Sequence, residues 1–177
     1  MFGYFTFSFL DKEANNTLCI HKSSSNYNKL HLINVIEKSF KNNVGMDNIL
    51  IIANIIDFEY IKQDSNNLVL ERDKKISNIC LIVFDENGDF FDKKDIKGSL
   101  DINYLNEIKS DIVKYGLLDI CRNNSVINVA PPGTQFKKLT GKVSTEFIRT
   151  SDMLSSDSII CFIAFSLLPF WRDNKIN

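Results

Sequence analysis

The sequence predicts an α/β or α+β fold, with a mixed sheet and flanking helices. Three observations carry this. Short apolar or alternating runs of strand length occur at 3–10, 17–22, 49–56 and 78–91. Amphipathic stripes with three- and four-residue steps occupy 29–41 and 102–121. The two kinds of segment alternate along the chain, as they do when helices cover a sheet. At 177 residues the chain suits one compact domain, or a domain with an appendage, and can bury enough apolar surface to fold without staples.

The elements follow in order. GYFTFSFL at 3–10 mixes aromatic and hydroxyl side chains with partial period-two alternation, and TLCIHK at 17–22 is a second short strand. The polar SSSNYN stretch supplies N-cap candidates for a helix over Lys29–Lys41, whose stripe is Leu32, Val35, Ile36 and Phe40, with Ile33 widening it. Gly45 fits its stop. ILIIANII at 49–56 reads as one central strand, and 65–67 and 71–75 read as a loop or hairpin. Residues 78–91 read as strand, turn, strand around Asn87-Gly88, the strongest hairpin signal in the chain. That turn gathers Asp85, Glu86, Asn87 and Asp89, but its glycine is fourth rather than sixth from Asp85 and Ile96 holds the twelfth place, so a tight turn is expected rather than a calcium loop. The helix at 102–121 has its stripe at Ile102, Leu105, Ile108, Ile112, Val113 and Tyr115, with Gly116 expected to close it. SVINVA at 125–130 is a short strand that Pro131-Pro132-Gly133 must end. FIRT at 147–150 is extended again, and Ser151-Asp152 or Ser156-Asp157 can cap a last helix.

That last helix is apolar on nearly every side from Ile159 to Trp171. Such a helix is normally sandwiched. It is expected to be a core helix of this domain, or else a surface for a partner protein or for a missing C-terminal half.

Composition narrows the function classes. With 21 basic and 22 acidic side chains the net charge is −1, which argues against broad nucleic-acid binding. The four cysteines stand far apart among apolar neighbours, without a CxxC pair, and read as buried free thiols of a reducing compartment. His21 and His31 read as core or capping residues. The start lacks a basic leader and cleavage site, and the apolar run near the C-terminus is too short to span a bilayer, so a cytoplasmic, non-membrane protein is expected.

The exception to this neutrality is PPGTQFKKLTGKVSTEFIRT at 131–150. Lys137, Lys138, Lys142 and Arg149 face one acid, Glu146, a local balance of plus three (four minus one), among five hydroxyls and two glycines. Glycines let a backbone approach a ligand, hydroxyls donate hydrogen bonds, and an arginine fork matches two oxygens of a phosphate or carboxylate. Those are parts of an anion site. They are equally parts of a β-hairpin with its polar residues turned outward.

Within this stretch Phe136, Thr140-Gly141, Ser144 and Phe147 follow the order of the N-terminal hood motif of orotate phosphoribosyltransferases. Ala130–Gly133, Phe136, Lys138, Thr140, Gly141, Ser144, Phe147–Arg149 and Leu167–Pro169 more closely resemble a bacterial phosphoribosyltransferase-like group. The likeness covers about forty residues. Leu139 stands where the orotate enzymes place the turn lysine, and the downstream loop for phosphoribosyl pyrophosphate has no counterpart here. The resemblance therefore implies an incomplete phosphoribosyltransferase-like fold: the substrate-recognition part of a glycosyltransferase, truncated or split, with little activity alone. It implies a nucleotide-type or phosphate-bearing ligand at Lys138, Thr140, Gly141, Ser144 and Arg149, with no catalytic residue assigned and Mg needed only if a complete transferase is assembled. Residues 1–130 would form the N-terminal α/β region. Residues 131–177 would add the basic hairpin and the apolar helix to the same domain.

Overall fold

The computed structural model describes residues 3–23, 27–42, 45–65, 76–124, 126–137 and 140–173. Its centre is a five-stranded sheet in the order β1-β2-β3-β4-β5, formed by Tyr4–Leu10, Asn16–Lys22, Asn48–Ala53, Asn78–Phe84 and Phe90–Lys97. β2, β3 and β4 run parallel, while β1 and β5 pair antiparallel at the two edges. The sheet is thus mixed and flanked by helices, as the alternation of elements predicts.

Helices α1 (Lys29–Asn42) and α2 (Ile55–Asp64) make the parallel crossovers and cover one face. Leu32, Ile36, Phe58 and Ile61 pack there on Leu18, Ile20, Ile49, Ile51, Leu81 and Val83. α3 (Ile102–Asn123) and, after the single turn α4 (Thr150–Met153), α5 (Asp157–Asp173) cover the other. Leu105, Ile108, Ile112, Ile120, Phe162 and Phe165 meet Phe5, Phe7, Phe9, Cys19, Leu50, Ile52, Cys80 and Ile82 there. The period-two alternation of β2–β4 divides each strand between these two cores, which is why the strands read as continuous apolar runs.

The run 49–56 is not one strand. β3 ends at Ala53, and Asn54 opens α2 through a reciprocal cap: its Oδ1 accepts from the Asp57 backbone N–H at 2.9 Å, and its Nδ2 donates to Asp57 Oδ2 at 2.9 Å. Ile55 and Ile56 are exposed, so they add nothing to the sheet core. Gly116 does not close α3, which continues to Asn123. It is buried under the Phe162 ring, where an added Cβ would lie 2.3 Å from Phe162 Cζ. The glycine serves close helix packing.

Other expectations meet the structure as read. Asn28 caps α1, its Oδ1 accepting from the His31 N–H at 3.0 Å. The 85–89 turn is held by Asp85 Oδ1, which accepts from the N–H groups of Asn87 and Asp89, with Gly88 at φ 77°. Ser156 Oγ accepts from the Ile159 N–H at the start of α5. Residues 24–26, 66–67 and 71–75, which figure in the expected caps and loops, lie outside the described residues.

His21 is 2% exposed and sits among aromatic rings, with centroids at 5.5 Å from Phe162, 5.4 Å from Phe165 and 6.1 Å from Phe84. Neither ring nitrogen has a hydrogen-bond partner. Burial, reinforced by the charge of Lys22, pushes its pKa down to about 3. The folded pKa lies below the unfolded one, so this histidine favours the fold fully above about pH 6.5 and loses that contribution as pH falls toward 3. Urea unfolding between pH 6.5 and 5 should show stability falling by up to about 1.4 kcal/mol per pH unit. His21→Phe should flatten that slope, and an unchanged slope would remove His21 as its source.

Candidate functional site

After α3 the chain leaves the sheet as a nested ribbon. β6 (Ile127–Val129) pairs with β9 (Glu146–Ile148), and inside that pair β7 (Phe136–Lys137) pairs with β8 (Val143–Ser144). Gly133 (φ 80°) and Gly141 (φ 78°) make the turns, and a Cβ at either would meet nothing within 4 Å. Both turns therefore stand open to solvent. The basic stretch is a hairpin at the level of backbone, split into two ladders by residues 130–135.

The predicted ligand-binding residues are spread along this ribbon. Thr140 and Gly141 are exposed at its tip. Ser144, opposite Phe136 on β8, accepts at Oγ from the Glu146 N–H at 3.3 Å. Arg149 follows β9 at the base, where its N–H donates to the Val126 carbonyl at 2.9 Å. Its guanidinium is exposed and lies 3.7 Å from Asp152 Oδ2. Lys138 lies outside the described residues. Register thus places the Thr140-Gly141 turn and Arg149 at opposite ends of the ribbon, with Ser144 between them.

A feature that charge and motif reading does not single out is the ribbon's apolar face. Ile127 stands directly opposite Ile148, and Val129 lies two residues along the same strand opposite Glu146, so the three apolar residues share a face with that one carboxylate. They are 45%, 57% and 66% exposed. A two-stranded ribbon is marginal on its own, and β-branched residues turned to water on one face leave it uncovered. The other face is partly closed by Phe136 against Phe147, with ring centroids 6.0 Å apart.

The apolar helix α5 divides by face. Phe162 and Phe165 are core, while Ile160, Leu167 and Trp171, spaced by seven and four residues, form an exposed outward stripe. The helix is therefore both a core element and an exposed apolar surface. Among the described residues ten of sixteen exposed large hydrophobic side chains fall between Ile127 and Trp171. That concentration sets the C-terminal third apart from the rest of the fold.

A second polar cluster lies at the carboxyl ends of the parallel strands, the usual place for sites in open α/β sheets. Lys22, at the end of β2, and Asp57, in the first turn of α2, are buried side chains with Nζ and Oδ1 3.7 Å apart. The Lys22 ammonium also lies 5.4 Å from the Tyr4 ring centroid. Burial lowers the Lys22 pKa against the opposing pull of Asp57. Burial, then the neighbouring Tyr27 and Asp57, push the Tyr4 phenol up. α5 crosses this end of the molecule on the opposite face: Cys161 Sγ donates to the Ser23 carbonyl, and Phe165 packs on His21 and Phe84. The ion pair is sealed inside the protein and acts as a structural element.

Of the four free thiols, Cys19 and Cys80 are buried while Cys121 and Cys161 are half-buried, and burial makes three of them poor nucleophiles. Burial raises the pKa of Cys19, pushes Cys80 up to about 12, and raises Cys161, with Asp157 adding to the last effect. Among the described residues no three His, Cys, Asp or Glu side chains group as a metal site. No described helix is long and apolar enough to cross a membrane. No family model matches the chain, and no curated protein or solved structure is significantly similar to it.

Proposed function

We propose that the chain is an interaction module that docks a partner protein through its C-terminal third. The observation that carries this reading is the concentration of exposed apolar side chains there, above all the uncovered ribbon face of Ile127, Val129 and Ile148 and the α5 stripe of Ile160, Leu167 and Trp171. Lys137, Lys142 and Arg149 line the same ribbon and are exposed, against Glu146. The complementary surface is therefore apolar at its centre and acidic at its rim. Trp171 is the side-chain type that most often anchors such contacts.

The test starts from capture out of the native source on the immobilised wild-type chain and on Ile148→Asp. A protein held by the first and lost by the second is identified, purified and titrated against both chains. Ile148→Asp is expected to weaken binding by about tenfold or more, and Lys142→Glu to weaken it while reducing its salt dependence. Equal affinity of wild type and Ile148→Asp for that purified protein would refute the docking surface.

The basic ribbon favours a second reading, a phosphate-bearing small ligand bound in the manner of a phosphoribosyltransferase-like hood. Its specific support is three exposed cations on a ribbon whose turns, at Gly133 and Gly141, leave open backbone for close approach. Titration with phosphoribosyl pyrophosphate and pyrophosphate, on the native chain and on Lys138→Ala and Arg149→Ala, decides it. Binding that both substitutions weaken supports the ligand site, and binding unaffected by either removes it. Ile148→Ser, which removes the apolar side chain without placing a charge beside Arg149, leaves this anion binding intact, so the two readings fail separately.

A further inference from the structure

A concavity lies away from the ribbon, between α3 and the last turns of α5. It has a volume of about 710 Å³, within the range of small-molecule clefts. One wall is a second stripe of α3, in which Lys109, Ser110, Val113 and Lys114 follow helical spacing beside the core stripe of Leu105, Ile108 and Ile112, with Val113 packed against the core at the boundary. The opposite wall is Pro169 and Phe170 of α5, so the floor is apolar.

Its charge is one-sided. At one end Lys109 Nζ donates to Asp89 Oδ1 at 2.7 Å, and that pair neutralises the acid lining the cleft. Lys114 remains as the second cation of the wall. It rests 5.3 Å from the Tyr115 ring centroid and has no carboxylate within ion-pair distance among the described residues. An apolar floor with one uncommitted cation at its rim selects for a molecule with an apolar body and a single negative head. A cationic amphiphile would meet net positive charge, and a neutral one would gain only the floor.

We propose that this cleft binds a small amphipathic acid, with its carboxylate at Lys114 and Ser110 and its hydrocarbon or aromatic body on Val113, Pro169 and Phe170. The site is independent of the ribbon surface and does not require the docking function. The probes are decanoate, 1-decanol and decylamine, each below its aggregation limit, followed by amide chemical shifts. Decanoate should bind saturably and shift the amides of Ser110, Val113, Lys114 and Phe170. Decanol should bind about tenfold more weakly and decylamine more weakly still. Lys114→Gln should weaken decanoate about threefold to tenfold and leave decanol unchanged. Val113→Trp, half-buried where the cleft meets the core, should fill the cleft and abolish both. Unsaturable binding, shifts mapping elsewhere, equal affinity for all three probes, or indifference to Val113→Trp would each overturn the proposal. The amide spectrum of each variant, dispersed like that of wild type, shows that it is folded.

Discussion

Asp57→Ala is expected to destabilise the protein by about 3–5 kcal/mol, because it strips the buried Lys22 ammonium of the carboxylate that faces it. Lys22 and Asp57 side chains are 0% and 1% exposed, so water cannot take over the role of the lost partner. The same substitution also removes the Asn54 Nδ2 bond to Asp57 Oδ2, while Asn54 Oδ1 keeps the backbone N–H of residue 57 and so still caps α2. Replacing both charges together, as in Lys22→Met with Asp57→Leu, should recover most of the loss, since two apolar groups of similar volume carry no desolvation penalty. Equilibrium unfolding in urea of the single and double variants checks this. A loss below about 1 kcal/mol for Asp57→Ala would show that the pair is not held dry.

Phe162→Ala should cost a similar amount, about 3–5 kcal/mol, through the cavity it leaves. Its ring is fully buried, 4.9 Å from Phe5, 5.4 Å from Phe7, 5.5 Å from His21 and 6.0 Å from Phe165 by centroid. It also rests on Gly116, where no side chain can fill the void from the other helix. Thermal or urea unfolding measures the loss, and Trp171→Ala, on the exposed stripe of the same helix, should change stability by no more than about 0.5 kcal/mol. Equal effects at the two positions would contradict the division of α5 into a core face and an outward face.

Much of the fold is legible in residue order because its signals are local. The two amphipathic stripes, the apolar parallel strands and the Asn87-Gly88 turn each declare their element within a few residues. The boundary at Asn54 is harder, because Ile55 and Ile56 prolong the apolar run of β3 although they face water. The cue that separates them is the Asn54–Asp57 spacing of a capping pair. Gly116 misleads in the opposite sense: a glycine late in a helical pattern reads as a stop, and only the arrival of Phe162 from 46 positions later explains it. Lys22 follows Leu18 and Ile20 at period two, which places it on a buried face, yet its counter-charge lies on another element.

The ribbon shows what residue types cannot convey. Lysines, hydroxyls and glycines at 131–150 draw the eye to an anion site, but the exposure of Ile127, Val129 and Ile148 depends on which strands pair and on what fails to cover them. The α3–α5 cleft is invisible to hydrophobic periodicity for a related reason. Its α3 wall is a stripe of mostly polar residues that becomes a surface only when α5 crosses beside it.

Stability and partner affinity measured side by side on Ile148→Asp test the docking surface most directly. An uncovered face predicts an unfolding free energy within about 0.5 kcal/mol of wild type together with a loss of about tenfold or more in affinity for the purified partner. A destabilised protein that binds its partner as tightly as before would instead make Ile148 part of the core and contradict the account.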